Sequence, residues 1–490
     1  MRIRSSLIAL GMFAATSPMT WAAESGLETA GNNLARFEVP TNPDLPYRRN
    51  DVAVDPAHAY TLPELIDLAQ RNNPTTGIAW EQARQAAAAV GLVEATYLPQ
   101  LSAEALGGFQ RTPVPVARAI DPKGNMVANT KEIAPALAVE WLLFDFGQRD
   151  ALAEAARKTE TAADMGFTGA HQKLIFEVSK AYFTLDAVRS QVQVAESAVT
   201  SNRILSDAAT ARRDHGLATI TEVATTERGL AKAQYELEQA KAADNDVYHS
   251  LLEAMGLNPT LKLRIASSSG RPIPPRIAED ADMAIQRALV SRPDIVAGLA
   301  KLRSSEANVR AADAAYRPKI GLVGSFGQTV AIQADSPSAF GGTGSPGTRA
   351  SGSSGSLMLK FSIPLFDGGL REQAKSIAQS KRREAEEELA KTEDEAIHQV
   401  ARAVDTLNSA LAQYTAARAY VAAADKEAQS ALEAYKQGVG TLIVATTADT
   451  NRTQAQSAEA NAYAGVLTAA ASLAFTTGAL TSSDVLEHAQ

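Results

Sequence analysis

At 490 residues and 45% hydrophobic content the chain could hold roughly two to four compact domains, but much of its apolar content is alanine, which suits long, closely packed helices. A formal net charge of −8, with no Lys/Arg-rich stripe, argues against a nucleic-acid partner. The absence of cysteine excludes disulfides, thiolate metal sites and an acylated N-terminal cysteine.

Residues 1–23 read as a secretory signal peptide. Arg2 and Arg4 precede an apolar run from Leu7 to Ala15, and Thr20-Trp21-Ala22-Ala23 supplies the cleavage zone. Thr16, Ser17 and Pro18 break the run well short of a membrane span, and no later apolar run reaches that length. Residues 24–60, polar and containing Pro40, Pro43, Pro46 and Pro56, read as an extended N-terminal arm or a disordered leader.

A first repeat occupies 61–257. Thr61 is placed to cap a helix that Asn73-Pro74 interrupts and that resumes to about Thr96. After Tyr97-Leu98-Pro99 the period changes to two: Leu101, Ala103, Ala105 and Phe109 alternate with Ser102, Glu104 and Gln110, as in a half-buried strand. A polar loop is expected over Thr112–Thr130 and a returning strand over Ile133–Phe144. The heptapeptide Leu143-Phe144-Asp145-Phe146-Gly147-Gln148-Arg149 then turns strand into helix, with Asp145 to cap and Gly147 at the corner. From Gln148 to Arg213 no Pro occurs, which predicts a helix on the order of 100 Å long. Gly216-Leu217-Ala218-Thr219 marks a turn, and a second helix runs to about Met255. On it Val223, Leu230 and Leu237, and also Ala233, Ala240 and Val247, fall at heptad spacing, so the two helices form an antiparallel coiled-coil hairpin.

Residues 258–280 read as a linker around Gly270-Arg271-Pro272-Ile273-Pro274-Pro275, and 281–480 repeats the plan before a tail at 481–490. Arg292-Pro293 answers Asn73-Pro74, and Tyr316-Arg317-Pro318 answers Tyr97-Leu98-Pro99. A strand is expected over Lys319–Val330, then a flexible Gly/Ser-rich tip over Asp335–Ser356, then a fourth strand through Leu357, Leu359, Phe361, Ile363 and Leu365. The second junction is Leu365-Phe366-Asp367-Gly368-Gly369-Leu370-Arg371, with Asp367, Gly368 and Gly369 as its working residues, and Gly438-Val439-Gly440-Thr441 is the second hairpin turn. Junction and turn both recur 222 residues after their first copies.

Four strands in one chain are too few to close a barrel, and each carries one apolar and one smaller or more polar parity. In an exported chain that pattern suits an outer-membrane barrel whose closure comes from other copies. Here the sequence resembles the TolC-type outer-membrane efflux proteins over roughly 60–480, on the paired LFDFGQR and LFDGGLR junctions, the Tyr-x-Pro switches and the Gly-x-x-Thr turns (Gly216 with Thr219, Gly438 with Thr441). The resemblance implies a mainly α fold with a β-barrel portion: long hairpins, four transmembrane strands per chain in two repeats, and a homotrimer forming a twelve-stranded barrel with an α-helical tunnel into the periplasm. It implies an outer-membrane duct in contact with lipid, a periplasmic adaptor, an inner-membrane pump of the RND, ABC or MFS class, and no catalytic residues or cofactor.

The resemblance also implies a periplasmic end closed by polar links between neighbouring hairpins. Glu222 matches an acidic position of the first hairpin and Tyr435 an aromatic partner in the second. Gly440 stands where an arginine is expected, Val444 and Thr447 occupy the positions of an acidic ring, and Asp449 lies nearby but out of register. Glu222, Tyr435 and Asp449 are thus the gate candidates. Trp141, Phe144, Phe146, Phe361 and Phe366 suit either an aromatic girdle at the inner membrane boundary or packing at the junctions.

Other chemistry finds little support. The six histidines show no pair at metal spacing, Gly352-Ser353-Ser354-Gly355 sits in low-complexity sequence without a nucleophile elbow, and no Gly-Lys-Ser/Thr follows the Gly-rich segment. Small-molecule efflux is the favoured function. The alternatives are a duct for type I protein secretion, a soluble periplasmic coiled-coil adaptor and an exported hydrolase. The adaptor leaves the strand alternation unexplained, and the hydrolase lacks converging polar residues at a strand end.

Overall fold

The computed structural model describes residues 52–480 apart from 53, 116, 120, 121, 123, 269, 271, 275–279 and 335–347. The expected signal peptide, nearly all of the arm and the tail lie outside the described residues, which all belong to the compact unit Asn50–Gln490.

Its elements run β1 (Ala59–Tyr60), α1 (Leu62–Asn72), α2 (Pro74–Ala95), β2 (Gln100–Pro115), β3 (Asn125–Phe144), α3 (Gln148–Asp214), α4 (Ile220–Met255), β4 (Arg264–Ile265), α5 (Ala281–Ser291), α6 (Pro293–Ala314), β5 (Lys319–Ala334), β6 (Thr348–Ser362), α7 (Leu370–Lys436) and α8 (Leu442–Thr476). The duplication extends to element lengths: α1 and α5 have 11 residues each, α2 and α6 have 22, α3 and α7 have 67. Among the described residues no helix is long and apolar enough to cross a membrane.

The long strands form one antiparallel sheet in the order β2-β3-β5-β6. Its strands outrun the sequence expectation. The β2–β3 ladder continues to Pro115 opposite Asn125, so the loop expected over Thr112–Thr130 shrinks to 116–124. Thr348–Ser356, expected in a flexible tip, belongs to β6 and pairs with Ser325–Gln333 of β5; of that tip, 335–347 lie outside the described residues. In both places polar and small residues mark a wet face, while the backbone ladder, which needs no side chain, carries on. At the other end Ile363 and Leu365 leave the strand, which stops at Ser362.

The helices pack as two hairpins, α3 with α4 and α7 with α8. The half of α3 nearer the sheet also lies against α2 and α6, and the far half meets α8. Large apolar side chains concentrate at mid-length. Leu65, Ile66, Val178, Tyr182, Leu251, Leu252 and Met255 make one core where α1 meets α3 and α4, and Val400, Val404, Leu407, Leu411 and Leu473 make another under α5. Elsewhere the seams are alanine, as at Ala417, Ala424, Ala428, Ala431, Ala448 and Ala455.

The described part of the 258–280 connection is fastened. β4 pairs in parallel with β1, the Ser267 and Ser268 hydroxyls donate to Asp186, and the Tyr182 and Tyr463 hydroxyls donate to the Ala266 and Ser268 carbonyls at 2.8 and 2.6 Å.

Candidate functional site

Three places carry the expected site residues: the sheet, the two strand–helix junctions and the hairpin turns. In the sheet the register sorts the side chains onto two faces, because alternate residues face opposite sides. One face carries Leu101, Ala103 and Phe109 of β2, Ile133, Leu137, Val139 and Trp141 of β3, Leu322, Phe326 and Val330 of β5, and Leu357, Leu359 and Phe361 of β6. None of the described residues covers it: Phe326 is 63% exposed, Leu357 68% and Phe361 65%. The opposite face carries Ser102, Glu104, Gln110, Glu132, Ala136, Glu140, Ser325, Ser354, Ser356 and Lys360. β2 and β6 each present one unpaired edge.

Both junctions are built alike. Two successive left-handed residues make the corner, Gly368 and Gly369 at φ 69° and 90°, and Phe146 and Gly147 at φ 56° and 98°. Phe146 is the one described non-glycine residue with positive φ, a strained choice for a bulky side chain. Gly147 and Gly369 are the helix N-caps. The aspartate caps from two residues upstream: Asp145 accepts from the N–H of Gly147 and of Arg149 and from the Arg149 Nε at 3.0 Å, and Asp367 accepts from Gly369, Arg371 and the Arg371 Nε at 2.6 Å. The Arg371 guanidinium holds the Asp367 carboxyl below its ordinary range. Arg149 also donates to the carbonyls of Thr96 and Leu143 and stacks over Tyr97, tying together the ends of α2 and β3 and the start of α3. Trp141 Nε1 donates to the Tyr97 carbonyl at 2.8 Å, so this side chain packs at the junction.

At the far end each hairpin turns through a left-handed glycine, Gly216 at φ 72° and Gly438 at φ 80°. Thr219 and Thr441 cap α4 and α8 by accepting from the N–H of Glu222 and Val444. The two tips are joined by Arg212, in the last turn of α3. Its guanidinium lies 4.9 Å from the Tyr435 ring centroid and donates to the Tyr435 carbonyl at 2.8 Å and to the Leu217 carbonyl at 3.3 Å. Tyr435 is 1% exposed, in a cluster with Leu205, Leu442 and Ala445. Its hydroxyl and the Arg212 Nε find no hydrogen-bond partner among the described residues. Burial, then the Glu222 carboxylate, push the Tyr435 phenol up, against the pull of Arg212. Glu222 thus acts on Tyr435 through its field rather than through a hydrogen bond.

Asp449 lies about two turns into α8, across a cavity from Leu205 and Ala445 of this cluster. It is 8% exposed and accepts from Asn202 of α3 at 3.1 Å and from Arg452 at 2.6 Å, while Arg452 also donates to Ser201. Burial raises its carboxyl above the ordinary range despite Arg452. A cavity of about 260 Å³ lies beside it, lined by Ser201, Leu205, Asp425 and Arg452 among others. The structure therefore puts Tyr435 within electrostatic reach of Glu222 and leaves Asp449 as a strut between α3 and α8. Arg212 is the tip residue that the sequence reading did not single out; its only local signal is a basic residue in a helix's last turn.

The family model described as outer membrane efflux protein matches residues 65–257 and 284–479, one segment on each repeat. The chain belongs to that family. Among the relatives of this efflux protein is outer membrane protein OprJ of Pseudomonas aeruginosa, 26% identical over 381 residues, 77% of this chain and 75% of the relative. Another is the cation efflux system protein CusC of Escherichia coli K12, 26% identical over 383 residues, 76% of this chain and 77% of the relative. The fold is similar to that of the Campylobacter jejuni CmeC outer membrane channel, with a TM-score of 0.69 at 20% identity, over 87% of this chain and 89% of that one. The chain is an outer-membrane efflux channel, and its relatives are channels rather than enzymes.

Proposed function

We propose that three copies of the chain close their sheets into one twelve-stranded transmembrane barrel continued by a helical tunnel, the exit duct of a tripartite system. The observation that carries this reading is the open four-stranded sheet, with two long unpaired edges and one uncovered apolar face. An edge of 15 or 16 residues left open invites pairing with another chain, and an apolar face of this extent has a stable place only against lipid. Joining β6 of one copy to β2 of the next satisfies edges and face together. The repeats, 61–257 and 281–480, then each contribute one hairpin to the tunnel, and 258–280 fastens them rather than merely linking them.

Within this reading the tunnel docks on a periplasmic adaptor and an inner-membrane pump of the RND, ABC or MFS class, and the pump supplies the energy. The cargo is small molecules, in preference to a secreted protein. The gate is the Arg212–Tyr435 contact with Glu222 beside it, with Asp449 bracing α3 against α8.

The chain has no cysteine, which makes cross-linking decisive. Single cysteines at Ser102, Ala103 or Ala105 of β2, combined with one at Ser351, Ser353 or Ser354 of β6, are expected to give disulfide-linked dimers and trimers of the 51.7 kDa chain from isolated outer membranes. Monomer bands for every pair would sink the closed barrel.

A further inference from the structure

We propose that Arg111 and Lys131 form a cationic rim that binds the phosphate groups of outer-leaflet lipid; this rests on the barrel reading above. Among the described side chains of the apolar sheet face, these two are the only ionisable ones, and both are basic. Both lie on the strand halves farthest from the helices, in neighbouring rows: Lys131 opposite Phe109 and Ile332, Arg111 opposite Asn129. Both are exposed, and neither forms an ion pair with another described residue.

Their height fits the partner. Lys131 lies ten residues beyond Trp141 on β3. Ten residues span about 33 Å of strand, or roughly 25 Å along the membrane normal at a tilt of about 40°, which is the height of an outer-membrane apolar band. With Trp141 at the inner boundary, the two cations emerge at the outer headgroups, where long basic side chains hold their charge in water and their stems against lipid. The carboxylate beside them, Glu132, sits on the other face, as does Glu104 midway along the sheet opposite Ala136. Lys131 and Glu132 are adjacent in sequence and point to opposite sides, so the separation of charge is a property of the register. A phosphorylated lipid meets only cations, and the acids face the lumen.

The test uses the full-length protein in phosphatidylcholine vesicles containing either a bisphosphorylated disaccharide lipid or the same lipid stripped of its phosphates. Insertion is scored by flotation and bound lipid by native mass spectrometry. The wild type is expected to retain the phosphorylated lipid, and the Arg111→Gln, Lys131→Gln variant to insert equally but bind it about tenfold more weakly. Glu104→Gln with Glu132→Gln is expected to bind as the wild type does. Equal retention by the cation-less variant, or indifference of the wild type to phosphate, would overturn the rim and leave the barrel standing. Failure of the wild type to enter vesicles would overturn the barrel, and the rim with it.

Discussion

Tyr435 shows how much of the tip depends on one ring. Its hydroxyl has no partner among the described residues, whereas its ring fills the cluster of Leu205, Leu442 and Ala445 and carries Arg212 on its face. Tyr435→Ala should therefore cost about 3–5 kcal/mol and raise the resting conductance in a planar bilayer, and Tyr435→Phe should behave as wild type. A Phe variant as leaky as the Ala variant would instead assign the latch to the hydroxyl. Glu222→Ala should raise conductance less, since Glu222 reaches the ring only through its field. Another residue writes itself into the pH dependence. Glu64 accepts from the Thr61 N–H at 2.7 Å, from the Thr61 hydroxyl and from His58, and in that order these partners lower its pKa from 4.5 to about 2. A lowered carboxyl stabilises the fold above pH 4.5, and that contribution fades as the pH falls toward 2. Glu64→Gln should flatten the acid limb of thermal stability by less than about 1 kcal/mol, because the site is exposed. An acid limb identical to wild type would remove Glu64 from the account. At this scale Glu222 and Tyr435 were candidates through the family resemblance alone, which implies a closed periplasmic end. Arg212 stayed hidden, because its role exists only once the ends of α3 and α7 lie together.

The repeat is most exact where its elements lock. Gly256 ends α4 at φ 69°, and a Cβ there would sit 2.9 Å from the Asn73 Cα; Gly478 follows α8 at φ 73°, and a Cβ would sit 3.0 Å from the Arg292 Cα. Asn73 donates to the Ala254 carbonyl, and Arg292 to the Thr476 carbonyl, so each X-Pro break is clasped by the end of its repeat's last helix. Gly256→Ala and Gly478→Ala should each destabilise by about 2 kcal/mol or more, read as a lowered unfolding midpoint in detergent. An unchanged midpoint would show that the clasp yields. Helix boundaries, both junctions and the duplication were legible because composition, Pro and Gly mark them locally. The clasp was not, since Asn73 and Ala254 meet across 181 residues. Strand ends were misjudged for a different reason: Ser and Gly at 351–356 announce a loop by propensity, and only the partner strand Ser325–Val330 holds them in a ladder.

Over the whole unit, bulk is distributed unevenly along the long helices. The large side chains of α3 and α7 interlock at mid-length under α1 and α5, and below them the contacts of α7 with α8 are mostly alanine. Filling that smooth seam should be felt. Ala448→Leu, at a position with 0% exposure, is expected to cost about 1–3 kcal/mol by overpacking and to raise the resting conductance by splaying the tips. A variant of wild-type stability and conductance would mean that the seam has slack. The same distribution has a mechanical meaning. Alanine surfaces offer no interlocked rotamers to unseat, so the lower helices can twist past one another against little resistance, while the middle behaves as a clamp. Torsion applied at the tips by a docked partner would then be taken up below that clamp, and the membrane end would hold its diameter while the other end dilates.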